Sequence, residues 1–84
     1  MKVVFTPTAL AQYQYWKDND LKKVAKIKAL IESIKQTPFN GLGKPEPLRG
    51  NLTGYWSRRI TQEHRLVYSV SAEQVTIVQC RYHY

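Results

Sequence analysis

The side chains able to do chemistry form a diffuse set in the second half of the chain: Glu46, Arg49, Arg58, Arg59, Arg65, Arg81, His83 and Tyr84. A carboxylate can accept a proton, and a histidine can donate one near neutral pH. Arginine presents a rigid fork of donors that suits phosphate or carboxylate groups. The set therefore suits acid–base chemistry on a phosphate group, although the residue types alone do not separate that reaction from simple binding.

The positions of two of these groups in the sequence strengthen the case for a functional site. Glu46 lies between Pro45 and Pro47, which restrict how its carboxylate is presented. The chain finishes with residues 80–84, CRYHY, directly after an apolar run, although chain ends are usually frayed and polar. We predict that this aromatic, histidine-bearing segment docks against the rest of the molecule. The alternative is that it is only the last turn of a packed strand.

The charge balance indicates a polyanionic partner. The formal net charge is +7, and nucleic acid, an acidic protein or an anionic membrane surface would each match it. Seven of the eight lysines lie before residue 43, and all five arginines follow it. Arginine favours geometrically defined contacts, so the second half is predicted to make the detailed ones. The chain has neither an apolar run of the roughly 18–20 residues that span a bilayer nor a signal-peptide pattern. We therefore expect a cytoplasmic location.

Cys80 is the single cysteine of the sequence. One cysteine cannot form an internal disulfide, and no Cys/His spacing typical of a zinc site occurs. Because Cys80 belongs to an apolar run, we predict a buried and inert thiol. The sequence likewise lacks a glycine-rich phosphate loop and a Ser/His/Asp order.

Two helices are predicted before these residues. Thr6 and Pro7 are typical of an N-cap and a first helical position, and they begin a helix over residues 7–17. Asp20 is predicted to cap a second helix over residues 21–36. Its apolar residues recur every three or four positions and form one stripe: Leu21, Val24, Ile27, Leu30, Ile31 and Ile34.

The rest of the chain reads as strands and turns. Strands are predicted at residues 1–5, 55–60, 64–70 and 75–82, with a loop rich in Pro and Gly at 38–47, a strand-like stretch from Leu48 and a turn at 51–54. Alternation places Arg65 on the face of its strand opposite the helices. The 84 residues then form one α+β domain, residues 1–84, with two N-terminal helices packed on one face of a mainly antiparallel β-sheet.

Four blocks of sequence, taken in order, resemble the YoeB toxins of the RelE superfamily. They are KPEPL at residues 44–48, GYWSRRI at 54–60, EHRLVY at 63–68 and RYHY at 81–84. The resemblance covers almost the whole chain. It implies a RelE-like toxin fold, cleavage of messenger RNA in the ribosomal A site, and a role in a type II toxin–antitoxin system. The implied partners are the ribosome with its mRNA, a cognate YefM-like antitoxin and a second copy of the chain in a homodimer.

The same resemblance assigns roles to individual residues. It implies Glu46 as general base, Arg65 as stabiliser of the phosphate charge and His83 as general acid, with no metal ion or other cofactor. The implied supporting or phosphate-binding residues are Arg49, Arg59 and Tyr84. Arg49 is a departure, because the family commonly has Lys at that position.

Two other functions remain open at this point. A noncatalytic basic module that binds nucleic acid or the ribosome would explain the charge equally well, although it leaves Glu46 and His83 without a purpose. A toxin of the same superfamily directed at DNA gyrase would keep the fold and change the target.

Overall fold

The computed structural model describes all 84 residues and begins with a short strand followed by two helices. Helix α1 (Pro7–Asn19) starts at Thr6, whose hydroxyl oxygen accepts a hydrogen bond from the Ala9 N–H at 3.2 Å. It extends beyond the predicted end because the Asp20 N–H still donates to the Trp16 carbonyl at 2.8 Å. Neither helix of the chain is long and apolar enough to cross a lipid bilayer.

Helix α2 (Leu21–Gln36) begins at the predicted cap. The Asp20 carboxylate accepts from the Lys22 N–H at 3.1 Å and pairs with the Lys23 ammonium at 2.8 Å. The hydrogen bond to Lys23 holds the pKa of the Asp20 carboxyl below its usual value. Leu21 was predicted to lie on the buried stripe, but it is 71% exposed because the stripe meets the sheet only from Val24 onward.

Five strands form one sheet: β1 (Lys2–Phe5), β2 (Glu46–Pro47), β3 (Trp56–Arg59), β4 (Arg65–Val70) and β5 (Gln74–Gln79). Their spatial order is β1-β5-β4-β3-β2. Only β1 and β5 are parallel, and the other neighbours are antiparallel. The prediction of a mainly antiparallel sheet is therefore confirmed.

The core lies between the two helices and one face of this sheet. It consists of 12 buried residues from both layers: Ala9, Trp16, Val24, Ile27, Leu30, Ile34, Ile60, Leu66, Tyr68, Val75, Ile77 and Cys80. Burial of such side chains stabilises a fold by about 1.5–3 kcal/mol each. The predicted α+β class, with both helices on one sheet face, is confirmed.

Three predicted boundaries are wrong, all in the second half. Glu46 was assigned to a loop but pairs with Ser57 as part of β2. The stretch after Leu48 is not a strand but leads into a single 3-10 turn (Gly50–Leu52). The last strand ends at Gln79 rather than residue 82, because the Cys80 N–H leaves the ladder and donates to a side-chain oxygen of α1 at 2.7 Å.

The thiol of Cys80 is completely buried, as predicted. Burial raises the pKa of Cys80 to about 12, so very little thiolate exists at neutral pH. We expect labelling by an aromatic disulfide reagent to be at least about 100-fold slower in the folded protein than in denaturant. Equal labelling rates in the two states would contradict this expectation.

Candidate active site

The sheet face turned away from the helices carries three of the predicted site residues. Glu46 pairs with Ser57, and Ser57 pairs with Val67 on the next strand. Two positions further along the same strands, Arg59 pairs with Arg65. Residues two apart in a strand share a face, and the alternate residues of β4 belong to the core. The predicted orientation of Arg65, away from the helices, is therefore confirmed, and Glu46 and Arg59 lie on the same face.

Tyr84 contacts Glu46 directly. Its hydroxyl donates a hydrogen bond to the Glu46 Oε1 at 2.7 Å and accepts one from the Ser57 Oγ at 3.4 Å. The two residues line a cleft of about 380 Å³ whose other walls are Pro47, Leu48 and Arg49. The contact orients an exposed carboxylate at the edge of the cleft.

Arg65 is more enclosed than the sequence indicated. Only 8% of the residue is exposed, and its Nη1 donates to three carbonyl oxygens of the turn between β3 and β4. These acceptors belong to Thr61, Gln62 and His64, at 2.7, 2.8 and 3.3 Å. The Nε and Nη2 donors make no hydrogen bond within the chain and are not completely enclosed. The turn therefore fixes the guanidinium while leaving donors free for a ligand.

The positive charge of this face is not neutralised within the protein. The two ion pairs of the chain are Lys23 with Asp20 and Lys35 with Glu32, so no arginine pairs with a carboxylate. Arg49 and Arg59 are exposed. From the strand spacing, the Cα atoms of Glu46 and Arg65 lie roughly 12 Å apart, which leaves room for a phosphodiester between their side chains.

His83 contacts Tyr84 but is not brought against the predicted general base or the central arginine. Its exposed ring packs against the Tyr84 ring at a tilt of 41° with a centroid distance of 4.6 Å, and its Nδ1 lies 3.1 Å from the Tyr84 carbonyl oxygen. It makes no hydrogen bond to Glu46 or Arg65. The imidazole is thus a neighbour of the carboxylate only through Tyr84.

The segment that carries His83 and Tyr84 is docked, as predicted. The Trp16 Nε1 donates to the Cys80 carbonyl at 2.8 Å, and the Gln12 Oε1 accepts from the Cys80 N–H at 2.7 Å. Further along, the Arg65 N–H donates to the Tyr82 carbonyl at 2.9 Å. Residues 80–84, called the C-terminal segment below, are thereby held on α1 and β4.

Arg58 has a role that the sequence analysis missed. It is completely buried on the helix side of β3, and all five of its N–H donors are used. The acceptors, at 2.6–3.1 Å, are the Tyr68 hydroxyl, the Ser33 hydroxyl and the carbonyls of Thr37, Asn40 and Leu42. Alternation was the available signal, since a strand with Ser57 and Arg59 outward must turn Arg58 inward.

The loop after α2 folds around this guanidinium. Gly41 adopts a φ of +114°, and a Cβ there would lie 2.6 Å from the Ser33 Oγ. The carbonyl oxygen of the next glycine, Gly43, accepts a hydrogen bond from the Arg59 N–H at 2.7 Å. Through these contacts Arg58 and the two glycines set the path of the chain that leads into β2 and Glu46.

Comparison with known proteins identifies the family. The sequence model of the YoeB-like toxins of bacterial type II toxin–antitoxin systems matches residues 5–84. The chain is 51% identical to toxin YoeB of Escherichia coli (strain K12), over the full length of both proteins. A solved YoeB/ParE toxin from Agrobacterium tumefaciens superposes with a TM-score of 0.97 at 52% identity, again over both full chains.

A Staphylococcus aureus relative has been solved in two assemblies. Its YoeB dimer matches with a TM-score of 0.94 at 48% identity, covering all of this chain and 98% of the other. Its heterotetrameric YoeB-YefM toxin-antitoxin complex matches with a TM-score of 0.93 at the same identity and coverage. With a family match over nearly every residue and half of all positions identical to known members, the chain belongs to the YoeB-like toxins of bacterial type II toxin–antitoxin systems.

Proposed function

We propose that this toxin is a ribosome-dependent endoribonuclease, a single domain of residues 1–84 that cleaves mRNA in the ribosomal A site. It would act in the cytoplasm, where translating ribosomes are found. The observation that carries the proposal is the 2.7 Å contact between Tyr84 and Glu46, beside arginines that no carboxylate neutralises. On a face that only bound the RNA backbone, an oriented carboxylate would weaken binding, because its charge repels phosphate.

Glu46 is the proposed general base. RNA carries its own nucleophile in the 2′-OH, and Glu46 takes the proton of that hydroxyl as the oxygen attacks the adjacent phosphorus. The hydrogen bond from Tyr84 occupies Oε1 and leaves Oε2 for the substrate. The attack forms the O2′–P bond.

Arg65 is the proposed stabiliser of the charge that grows on the phosphoryl oxygens. Its Nη1 is fixed by the turn carbonyls, and its remaining donors are free to bind an oxygen without reorganisation. Preorganised donors of this kind typically contribute about 10²–10³ in rate. Arg59 pairs with Arg65 across the strands and Arg49 lines the cleft beside Glu46; both are exposed and are proposed to bind neighbouring phosphates.

His83 is the proposed general acid. It gives a proton to the 5′-oxygen as the P–O5′ bond breaks, which leaves a 2′,3′-cyclic phosphate and a 5′-hydroxyl. A protonated imidazole is a suitable donor near neutral pH. Its exposed position beside Tyr84 allows the ring to turn toward a bound phosphate. No step of this scheme requires a metal ion.

The proposed need for the ribosome follows from alignment. A shallow basic face binds RNA through phosphates, but that contact does not place the 2′-OH in line with the phosphorus. Alignment of reacting groups can lower a barrier by about 7–11 kcal/mol. The ribosome would supply the alignment, while the lysines of α2 bind ribosomal RNA.

The test uses purified toxin with ribosomes halted on a defined message, and cut sites are read by primer extension. We expect cleavage within the A-site codon, no cleavage of free mRNA at the same enzyme concentration, and loss of cleavage in His83→Gln. At high enzyme concentration, cleavage of free RNA should survive EDTA. Rapid cutting of free mRNA would overturn the ribosome requirement. No cutting in either case would favour a noncatalytic module or a gyrase-directed toxin.

The proposed partners are a YefM-like antitoxin and a second copy of the chain. The YoeB-YefM complex and the YoeB dimer of the Staphylococcus aureus relative support both. A net charge of +7 favours an acidic antitoxin segment, which would cover the sheet face that carries Arg59 and Arg65 and exclude RNA. Titration with such an antitoxin should abolish cleavage at a fixed molar ratio, and sedimentation should give the mass of the free toxin.

A further inference from the structure

The C-terminal segment turns at a residue in an unfavourable backbone conformation. Tyr82 has a φ of +68°, in the left-handed region that a bulky residue seldom adopts. Strain of this kind persists only where the surroundings determine the conformation. The Tyr82 carbonyl accepts from the Arg65 N–H at 2.9 Å and from the Gln79 amide at 3.2 Å. Its N–H donates to the Nδ1 of His64 at 2.7 Å.

Helix α1 holds the His64 side chain in place. Its half-buried ring meets the Trp16 ring edge to face, with a centroid distance of 4.9 Å. The same Trp16 donates from Nε1 to the Cys80 carbonyl. The imidazole is therefore held by α1 at a point where its Nδ1 faces the backbone of the C-terminal segment.

This hydrogen bond defines the protonation state of His64. The donor is the backbone N–H of Tyr82, which always carries its hydrogen, so Nδ1 must present a lone pair. The ring is then neutral, with its proton on Nε2. A second proton would place two hydrogens face to face across 2.7 Å and abolish the contact.

The charges around His64 favour the neutral ring. Burial lowers the pKa of His64 below 6.5; Glu63, in the turn before it, opposes that shift, while Lys23 of α2 and Arg81 of the C-terminal segment add to it. Both cations also pack on the Trp16 ring, with the Lys23 ammonium 5.1 Å and the Arg81 guanidinium 5.7 Å from its centroid. The geometry and the charges thus act in the same direction.

We infer that His64 is a positioning residue for the proposed active site. By accepting the Tyr82 N–H, the neutral ring fixes the left-handed turn that sends residues 83 and 84 across the sheet. Only with that turn in place does the Tyr84 hydroxyl reach Glu46, with His83 beside it. Protonation of His64 releases the turn, so the contact between Tyr84 and Glu46 is lost as the pH falls. The relevance to cleavage rests on the function proposed above, but the positioning itself does not.

Two variants test the inference. His64→Asn keeps an acceptor near the position of Nδ1, whereas His64→Phe keeps an aromatic ring on Trp16 and removes the acceptor. In NMR hydrogen-exchange measurements on the free toxin we expect Phe to lower the protection factor of the Tyr82 amide roughly tenfold, and Asn to retain it. In the wild type, protection should fall as the pH drops below 6.5 toward the lowered pKa of His64, while His64→Asn should show no such fall. Full protection of Tyr82 in a folded His64→Phe, or the same pH dependence in Asn, would overturn the inference.

The activity readout separates this inference from the proposed function. In single-turnover cleavage of ribosome-bound mRNA, His64→Phe should slow the chemical step by about 10–100-fold, the scale of a misplaced catalytic group. Ribosome affinity should be unchanged, and His64→Asn should restore the rate. Should the wild type not cleave at all, the proposed function fails while the exchange data still decide the role of His64. If His64→Phe does not fold, the pH dependence of wild type against His64→Asn decides it.

Discussion

Arg58→Met should lower the free energy of unfolding by about 3–5 kcal/mol, because five hydrogen bonds from a charged donor are lost and each such bond typically contributes about 1.5–3 kcal/mol before the acceptors rebind water. A domain of this length is typically stable by about 4–13 kcal/mol. At the lower end of that range the variant would be close to unfolded at physiological temperature. It is the largest stability effect that we expect from a single substitution in this chain.

The reason is the set of acceptors that the guanidinium leaves behind. The Thr37, Asn40 and Leu42 carbonyls converge on the completely buried Arg58 guanidinium, in hydrogen bonds that are partly buried. Methionine retains most of the apolar stem but donates no hydrogen bond. The buried Tyr68 hydroxyl loses its Arg58 donor as well, and a buried group left without a partner costs about 1–3 kcal/mol. The loop that leads to Glu46 would lose its anchor at the same time.

Chemical denaturation with urea measures the effect. Arg59→Met is the matched control, because Arg59 is the next residue along the same strand, is exposed and makes no side-chain hydrogen bond. It should change the free energy of unfolding by no more than about 0.5 kcal/mol. Arg58→Lys should remain strongly destabilising, since an ammonium has three donors and cannot reach all five acceptors. Equal stability of Arg58→Met and Arg59→Met would refute the assignment.

Glu46→Gln should reduce single-turnover cleavage of ribosome-bound mRNA by about 10²–10⁴, the contribution typical of a general base. The amide has nearly the shape of the carboxylate, and its carbonyl oxygen can still accept the Tyr84 hydroxyl. What it loses is the ability to take the 2′-OH proton. Toxin binding to the ribosome should not weaken, because the substitution removes a negative charge from a cationic face.

Two further variants place this loss in context. Tyr84→Phe removes the hydroxyl that orients Glu46 and should cost about tenfold, the value of one hydrogen bond of about 1.4 kcal/mol. Glu73→Gln makes the same chemical change in the exposed turn between β4 and β5 and should leave the rate unchanged. Cleavage by Glu46→Gln at the wild-type rate would show that Glu46 is not the base and would favour a different residue or a binding module.

Stability should also respond to pH through His64. The pKa of His64 in the folded protein lies below 6.5, so His64 binds a proton more readily in the unfolded chain than in the folded protein. The contribution of neutral His64 to the free energy of unfolding is therefore complete above pH 6.5 and is lost as the pH falls toward the pKa of His64 in the folded protein. In thermal denaturation, His64→Asn should show a smaller loss of Tm between pH 7 and pH 5 than the wild type. An identical slope in the two proteins would contradict the assignment.

Features that depend on neighbours three or four residues away followed from the sequence alone. Thr6 and Asp20 predicted where the two helices begin, because an N-cap side chain accepts a hydrogen bond from an N–H group in the next turn. Successive side chains of a strand point to opposite sheet faces, and this local rule predicted that Arg65 points away from the helices. The four sequence blocks indicated the family and, with it, the residues of the proposed site.

Only the tertiary structure decided how those residues meet. The acceptors of Arg58 lie 10–25 residues away in the chain, Tyr84 reaches Glu46 across 38 positions, and Gln12 binds the Cys80 N–H across 68. The contacts of Arg58 and Cys80 satisfy polar groups that packing has removed from water, whereas the Tyr84 contact joins two surface side chains. In each case the partner is set by which surfaces come together. No local pattern encodes that choice, because sequence spacing and distance in space become independent once the helices pack on the sheet.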